Sequence, residues 1–185
     1  MEAMDNVKLY TLAVLVDNEA GVLSQVARLF SRKGYNIESL AVGPTNQQGV
    51  SRMTIQIYGD MSTIEFMCNQ LRKLVPVHSA CCLTDDSVRR KLVMIKVSAP
   101  TREIRNEIIQ IANIFRANVI DVSLETLTVA VIGEESKVNS LRGLLEEYGI
   151  LEQVQTGIIA LERGKKTIND DTKEKGEFNY GKNVL

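Results

Sequence analysis

An α+β architecture of two tandem βαββαβ units is predicted for this 185-residue chain by three observations. Apolar residues alternate at period two in some segments and recur at helical spacing in others. The two kinds of segment follow one another in the order strand, helix, strand, strand, helix, strand. That order is then written a second time. Each unit reads as a ferredoxin-like split βαβ motif, with two helices on one face of an antiparallel sheet.

In the first unit, residues 8–16 form a strand in which Leu12, Val14 and Val16 alternate with Thr11, Ala13 and Leu15. After the polar turn Asp17-Asn18-Glu19-Ala20-Gly21, the stripe Val22, Val26, Leu29 and Phe30 marks a helix that Gly34 ends. Residues 35–42 return to strand, and Gly43-Pro44-Thr45-Asn46 is a turn. Residues 50–58 alternate with Met53, Ile55 and Ile57 on one face. Ser62 is the expected N-cap of a helix striped by Ile64, Met67, Cys68, Leu71 and Leu74. Residues 77–83 supply the fourth strand.

Asp85-Asp86-Ser87 reads as a link between units. Residues 92–97 open the second unit, and Ala99-Pro100-Thr101 starts a helix carrying Ile104, Ile108, Ile111 and Phe115, with Pro100 in the first turn. Residues 119–124 and 126–132 are the middle strands. Val138, Leu141, Leu145 and Tyr148 stripe the next helix, Gly149 follows it, and residues 150–161 form one last strand. Apolar side chains in both registers of a strand (Leu12 and Leu15; Val93 and Met94) predict that the second sheet face is covered by another sheet or subunit. The chain thus divides into residues 8–84, residues 90–163 and a polar tail, 164–185, expected to be solvated and flexible.

Composition narrows the function. Lys+Arg total 22 and Asp+Glu 23, so neither the basic excess nor the stacking aromatics of a nucleic-acid binder is present, although such domains share this element order. No apolar run suits a membrane span, and the acidic N-terminus does not suit a signal peptide. Cys68, Cys81 and Cys82 make no paired framework and are expected to be reduced thiols. With His78 as the single histidine, neither a zinc site nor a catalytic Ser-His-Asp or Cys-His set can be assigned. Gly164-Lys165-Lys166-Thr167 lacks the upstream glycine of a phosphate loop, since residue 159 is Ile. An acylphosphatase-like site would place its phosphate cradle at residues 17–21, where Asp17 and Glu19 oppose it. Catalytic and metal-binding residues are therefore assigned to none.

Two segments carry binding chemistry. Asp17 to Leu23 presents a helix N-terminus, whose unpaired N–H groups and positive dipole end suit a carboxylate. Gly21 permits close approach and Asn18 adds an amide. Read alone, the same residues also serve as a simple cap and turn. Asn36, in Gly34-Tyr35-Asn36-Ile37-Glu38-Ser39-Leu40, opens the second strand and offers a second carboxamide, or simply satisfies local backbone.

Residues 16–45, V-D-N-E-A-G-V-L-S-Q-V-A-R-L-F-S-R-K-G-Y-N-I-E-S-L-A-V-G-P-T, and residues 51–60, S-R-M-T-I-Q-I-Y-G-D, resemble the ACT domain of acetohydroxyacid (acetolactate) synthase small regulatory subunits. Residues 113–123, N-I-F-R-A-N-V-I-D-V-S, and 157–164, G-I-I-A-L-E-R-G, resemble that family's C-terminal domain. The resemblance covers roughly residues 8–164. It implies a non-catalytic subunit, a homodimer through the ACT domain, and valine bound at the dimer interface. Asn18, Gly21 and Asn36 match the family's effector positions, with Val22, Leu23 and Ile37 as neighbours. Ser98-Ala99-Pro100-Thr101 stands where the first unit has its Asn-and-Gly loop, so one effector type is expected, in the first unit. The resemblance further implies activation of a catalytic large subunit in branched-chain amino acid biosynthesis, with feedback inhibition by valine. Thiamine diphosphate, Mg²⁺ and FAD would belong to the large subunit and no cofactor to this one. The location would be cytoplasmic, or the plastid stroma for a plastid-encoded chain. A free-standing amino-acid sensor acting on another target would share the same ligand chemistry.

Overall fold

The computed structural model describes residues 7–169. In the first unit β1 (Lys8–Asp17), β2 (Ser39–Pro44), β3 (Val50–Gly59) and β4 (Val77–Cys82) form an antiparallel sheet in the order β2-β3-β1-β4. Helices α1 (Val22–Lys33) and α2 (Met61–Leu71) lie on one face of it. In the second unit β5 (Val88–Ser98), β6 (Asn118–Val122), β7 (Thr126–Gly133) and β8 (Ile150–Gln155) order as β6-β7-β5-β8, with α3 (Arg102–Ile114) and α4 (Glu135–Glu146). A short β9 (Ile159–Leu161) pairs with the start of β5. The ferredoxin-like repeat is the architecture the periodicity predicts.

Each unit has its own core. Leu12, Val14, Ile55 and Ile57 on the first sheet meet Val26, Phe30, Ile64 and Met67 of its helices, all nearly or fully buried. Val93, Ile95, Val97, Leu127 and Val129 meet Ile108, Leu141 and Leu145 in the second. The stripes read from helical spacing are the ones that face inward. Burial also makes Cys68 inert: loss of solvation pushes its thiol up to about 12.

Local differences have local causes. The second strand begins at Ser39, not residue 35, because Gly34 takes a left-handed conformation (φ 75°) and the helix end consumes the next amides. Gly34 N–H donates to Ser31 O, and Tyr35 N–H to Phe30 O. Asp60, not Ser62, caps α2, accepting from Thr63 N–H at 2.7 Å while the Ser62 hydroxyl donates to the same carboxylate at 2.8 Å. Pro100 precedes the cap residue Thr101 and so lies outside α3. Leu74 lies beyond the end of α2 yet still packs on the core. The last strand, expected as one run, breaks into β8 and β9 around Gly157.

That break matters most. From Gly157 onward the chain, still paired through β9 to the start of β5, crosses the uncovered face of the first sheet. Ile158 N–H donates to Ser39 Oγ (2.9 Å), and Arg52 Nη2 donates to Ala160 O (2.7 Å). The Thr84 hydroxyl and amide donate to Glu162 (2.6 and 2.8 Å), and Ser79 Oγ donates to Ile168 O (3.2 Å). Ala160 and Ile168 pack with Ala13, Leu15, Cys81 and Leu83 in a third cluster. The second face of the first sheet is therefore covered largely by the chain's own C-terminal segment, where the sequence predicted another sheet or subunit. The tail expected to be solvated from Gly164 sends Ile168 into this cluster, 7% exposed; Phe178 and Tyr180 lie outside the described residues. The second sheet's outer face keeps Leu92, Ile120, Ile132 and Val154 exposed.

Gly157 has no room for a side chain: a Cβ there would run into the Leu40 carbonyl. Gly157→Ala should therefore lift the crossing segment and lower stability. Cutting after Gly164, or replacing Ile168 by Ala, should cost about 2 kcal/mol by loss of a buried aliphatic group. Urea unfolding of the full and altered chains measures both. Cys68 should resist thiol reagents at pH 8 until the chain unfolds.

Candidate functional site

The loop between β1 and α1 is held by its backbone. Asp17 N–H donates to Pro76 O (2.9 Å) and Asn18 N–H to Gly49 O (2.8 Å), tying it to the two neighbouring loops at that end of the sheet. The Asp17 carboxylate lies 2.6 Å from His78 Nε2 on β4. His78, half exposed, thus anchors Asp17 away from α1. Neither Asp17 nor Asn18 caps the helix. The N-cap is Gly21, at φ 87° and ψ −13°, with no side-chain hydrogen bond to the first turn.

This leaves α1 distinct in its electrostatics. Asp60 caps α2 and Thr101 caps α3, and α4 carries Glu135 in its first turn. Alone among the four described helices, α1 has neither a capping side chain nor an acidic residue in its first turn. The Val22 N–H donates to Glu19 O (3.4 Å), and the positive dipole end of the helix lies beside the exposed Asn18 and Leu23. Such an end complements an anion. An added Cβ at Gly21 would meet no protein atom within 4 Å, so the approach to the helix is open.

Asn36 lies at the other end of the same helix, two residues past Gly34. It precedes β2 by three residues, where the sequence had it opening the strand. Its carboxamide nitrogen donates to Glu38 Oε1 at 2.6 Å, and both side chains are exposed. Glu38 itself is anchored through its N–H, which donates to Gln56 O (2.9 Å).

The six predicted site residues therefore divide into two groups. Asn18, Gly21, Val22 and Leu23 surround the N-terminus of α1; Asn36 and Ile37 follow its C-terminus. The twelve-residue helix α1 runs from one group to the other, about 18 Å long at 1.5 Å per residue. A single chain does not bring the two groups together. The Val22 side chain is buried in the core (4%), so only its backbone faces the loop. Leu23 is exposed (44%), and Ile37 is partly buried against the core. Sequence reasoning gave Glu38 no role and weighed His78 only as a metal ligand or catalytic group, not as the partner of Asp17. For Glu38 the signal was available: residues two apart on an extended segment share a face, so Asn36-x-Glu38 places amide and carboxylate together.

Two clefts are found, one of them reaching Glu38. One of about 960 Å³ lies between the units, bordered by Glu38, Tyr58, Arg89, Arg90, Glu134 and Arg163 among others. Its charges are largely matched within the chain: Arg90 pairs with Glu134 (2.7 Å), Lys91 with Glu135 (2.6 Å) and Arg163 with Asp86 (3.1 Å). A smaller, mainly apolar one of about 440 Å³ lies between β2 and β9. None of the six predicted residues lines either cleft. Among the described residues, no group of three or more His, Cys, Asp or Glu could hold a metal ion, and no helix is long and apolar enough to cross a membrane.

Comparison with known proteins agrees over both units. Residues 12–79 match the family model of the acetohydroxyacid synthase (AHAS) small subunit-like ACT domain, and residues 90–164 match that of the small subunit of acetolactate synthase. The probable acetolactate synthase small subunit of Archaeoglobus fulgidus is 46% identical over 157 residues, 85% of this chain and 98% of that one. The acetolactate synthase small subunit of Aquifex aeolicus is 44% identical over 158 residues, 85% of this chain and 82% of that one. The crystal structure of the acetolactate synthase small subunit from Thermotoga maritima superposes with a TM-score of 0.80 at 36% identity, covering 86% of this chain and 99% of that chain. With both units matched and the relatives covered nearly end to end, the chain belongs to the acetolactate synthase small-subunit family.

Proposed function

We propose that this chain is a regulatory subunit that raises the activity of a catalytic large subunit of acetolactate synthase and makes it sensitive to valine. The observation that carries the reading is the bare N-terminus of α1, with Asn36 at the opposite end of the same helix. An amino acid cannot span that helix within one chain. Two copies solve the geometry. β2 is an edge strand, paired through β3 alone in this sheet, and such an edge is a template for a second chain. The topology sets α1 on the β2 side, because α1 joins β1 to β2 across β3. Antiparallel pairing of two β2 edges across a two-fold axis would lay the two α1 helices side by side, head to tail. Asn18 and Gly21 of one copy would then face Asn36 and Ile37 of the other, giving two equivalent sites per dimer.

In this reading valine's carboxylate meets the α1 N-terminus and its isopropyl group meets Leu23 and Ile37. Inhibition requires that valine bind two states of the complex unequally, since equal affinity shifts nothing. Thiamine diphosphate, Mg²⁺ and FAD belong to the large subunit, and condensation of 2-oxo acids takes place there, in the cytoplasm. Co-purification with that enzyme separates this reading from a sensor acting on another target.

The purified chain alone should form no acetolactate, while its addition should raise the turnover of the large subunit; robust activity from the chain alone would overturn the reading. Gly21→Asp should abolish valine inhibition, because its carboxylate opposes the ligand's at the helix end. Asn36→Ala should lower valine affinity roughly tenfold. Gly21→Asp pays about 1 kcal/mol for a left-handed non-glycine residue, and both variants should fold and still activate. Valine titration of the reconstituted enzyme, with calorimetry on the small subunit, reads both. Unchanged valine sensitivity in both variants would place the effector elsewhere.

A further inference from the structure

We infer that Glu38 is a specificity residue of the effector site: paired with Asn36, it reads the α-ammonium of the ligand and so separates an amino acid from the 2-oxo acid of the same carbon skeleton. The inference rests on the effector site proposed above.

An asparagine side chain can donate or accept, so Asn36 alone does not say which end of a zwitterion it meets. Its contact with Glu38 decides this. A carboxylate only accepts, so at 2.6 Å the atom of Asn36 facing it must be the amide nitrogen. That leaves Oδ1 of Asn36 directed away from Glu38 as a free acceptor, and the remaining lone pairs of Glu38 beside it. The pair is thus a two-acceptor, negatively charged group, repulsive to a carboxylate and suited to an ammonium.

Its location reinforces the assignment. The pair follows the C-terminus of α1, the negative end of the helix dipole, whereas Gly21 caps the positive end. Arg32 and Lys33 in the last turn offset that negative end, so the helix by itself holds a cation there weakly. Glu38 restores the negative sign. In a head-to-tail pair of helices, one ligand then sits between a positive end that takes its carboxylate and a negative pair that takes its ammonium. A 2-oxo acid satisfies the first and leaves Asn36 Oδ1 and Glu38 without a donor. A site built to hydrogen-bond a group rejects the analogue that lacks it.

Glu38→Gln is the informative change. Glutamine keeps the length and an oxygen that can accept from Asn36, so the Asn36 orientation survives while the charge is lost. Calorimetry on the full-length small subunit, and inhibition of the reconstituted enzyme, should be measured with L-valine and with 3-methyl-2-oxobutanoate. Valine affinity should fall about tenfold in Glu38→Gln, while that of the oxo acid should stay or rise. Glu38→Asp, which keeps the charge, should recover most of the valine preference. Unchanged valine affinity in Glu38→Gln, or an equal loss for both ligands, would overturn the specificity role. If instead Gly21→Asp and Asn36→Ala also retain full valine sensitivity, the site itself is misplaced, a different failure with a different signature.

Discussion

A ferredoxin-like sheet has two faces and its two helices cover one of them. In this protein the other face of the first sheet carries Ala13, Leu15 and Cys81, and much of it is closed by residues 158–168 of the same chain, arriving from the second unit. The covering segment is secured by side chains of the first unit. Arg52, whose guanidinium is held below its ordinary range by burial, donates to the Ala160 carbonyl, and Ser39 and Thr84 bond the flanking positions. Gly157 lets the crossing segment approach the Leu40 backbone. The two repeats are thereby one molecule: the first cannot bury its second face without the end of the second.

That arrangement bears on regulation. Ser39 and Leu40, which the crossing segment touches, follow directly after Asn36, Ile37 and Glu38 in the chain. Any rearrangement of residues 36–38 on ligand binding is therefore adjacent to the contact that joins the units. The salt bridges that pin the link and the cleft between units (Lys8 with Asp85, Arg163 with Asp86, Arg90 with Glu134) are exposed or half exposed. Such pairs are individually weak.

The polarity of the proposed effector site comes from what α1 lacks. A helix whose first turn carries no cap or acid leaves its positive end without a side-chain partner, at a cost to its own stability. The other three described helices have their ends compensated. Of the two acids in the loop before α1, Asp17 is held by His78, and Glu19 is exposed.

Hydrophobic period was sufficient to lay out both repeats, because the core positions of strands and helices obey different spacings and each was filled with Val, Ile, Leu, Met or Phe. Gly34 and the β1–α1 loop were legible for the same reason, since local chemistry decides where a helix stops and starts. The motifs around Gly21 and Asn36 were sufficient to identify the family. What sequence could not decide was of two kinds: a choice between near neighbours, and matters settled by residues distant along the chain. Asp60 outcompetes Ser62 as a cap by a local geometry that either could have adopted. The break at Gly157 follows from Leu40, 117 positions earlier. Ile168 is buried because Ser79 and Leu15 are there to receive it, while its own neighbours Lys165, Lys166 and Thr167 read as solvated tail. Asn18 and Asn36 read as one site in sequence, but the length of α1 holds them apart, and that separation is a property of the folded helix alone.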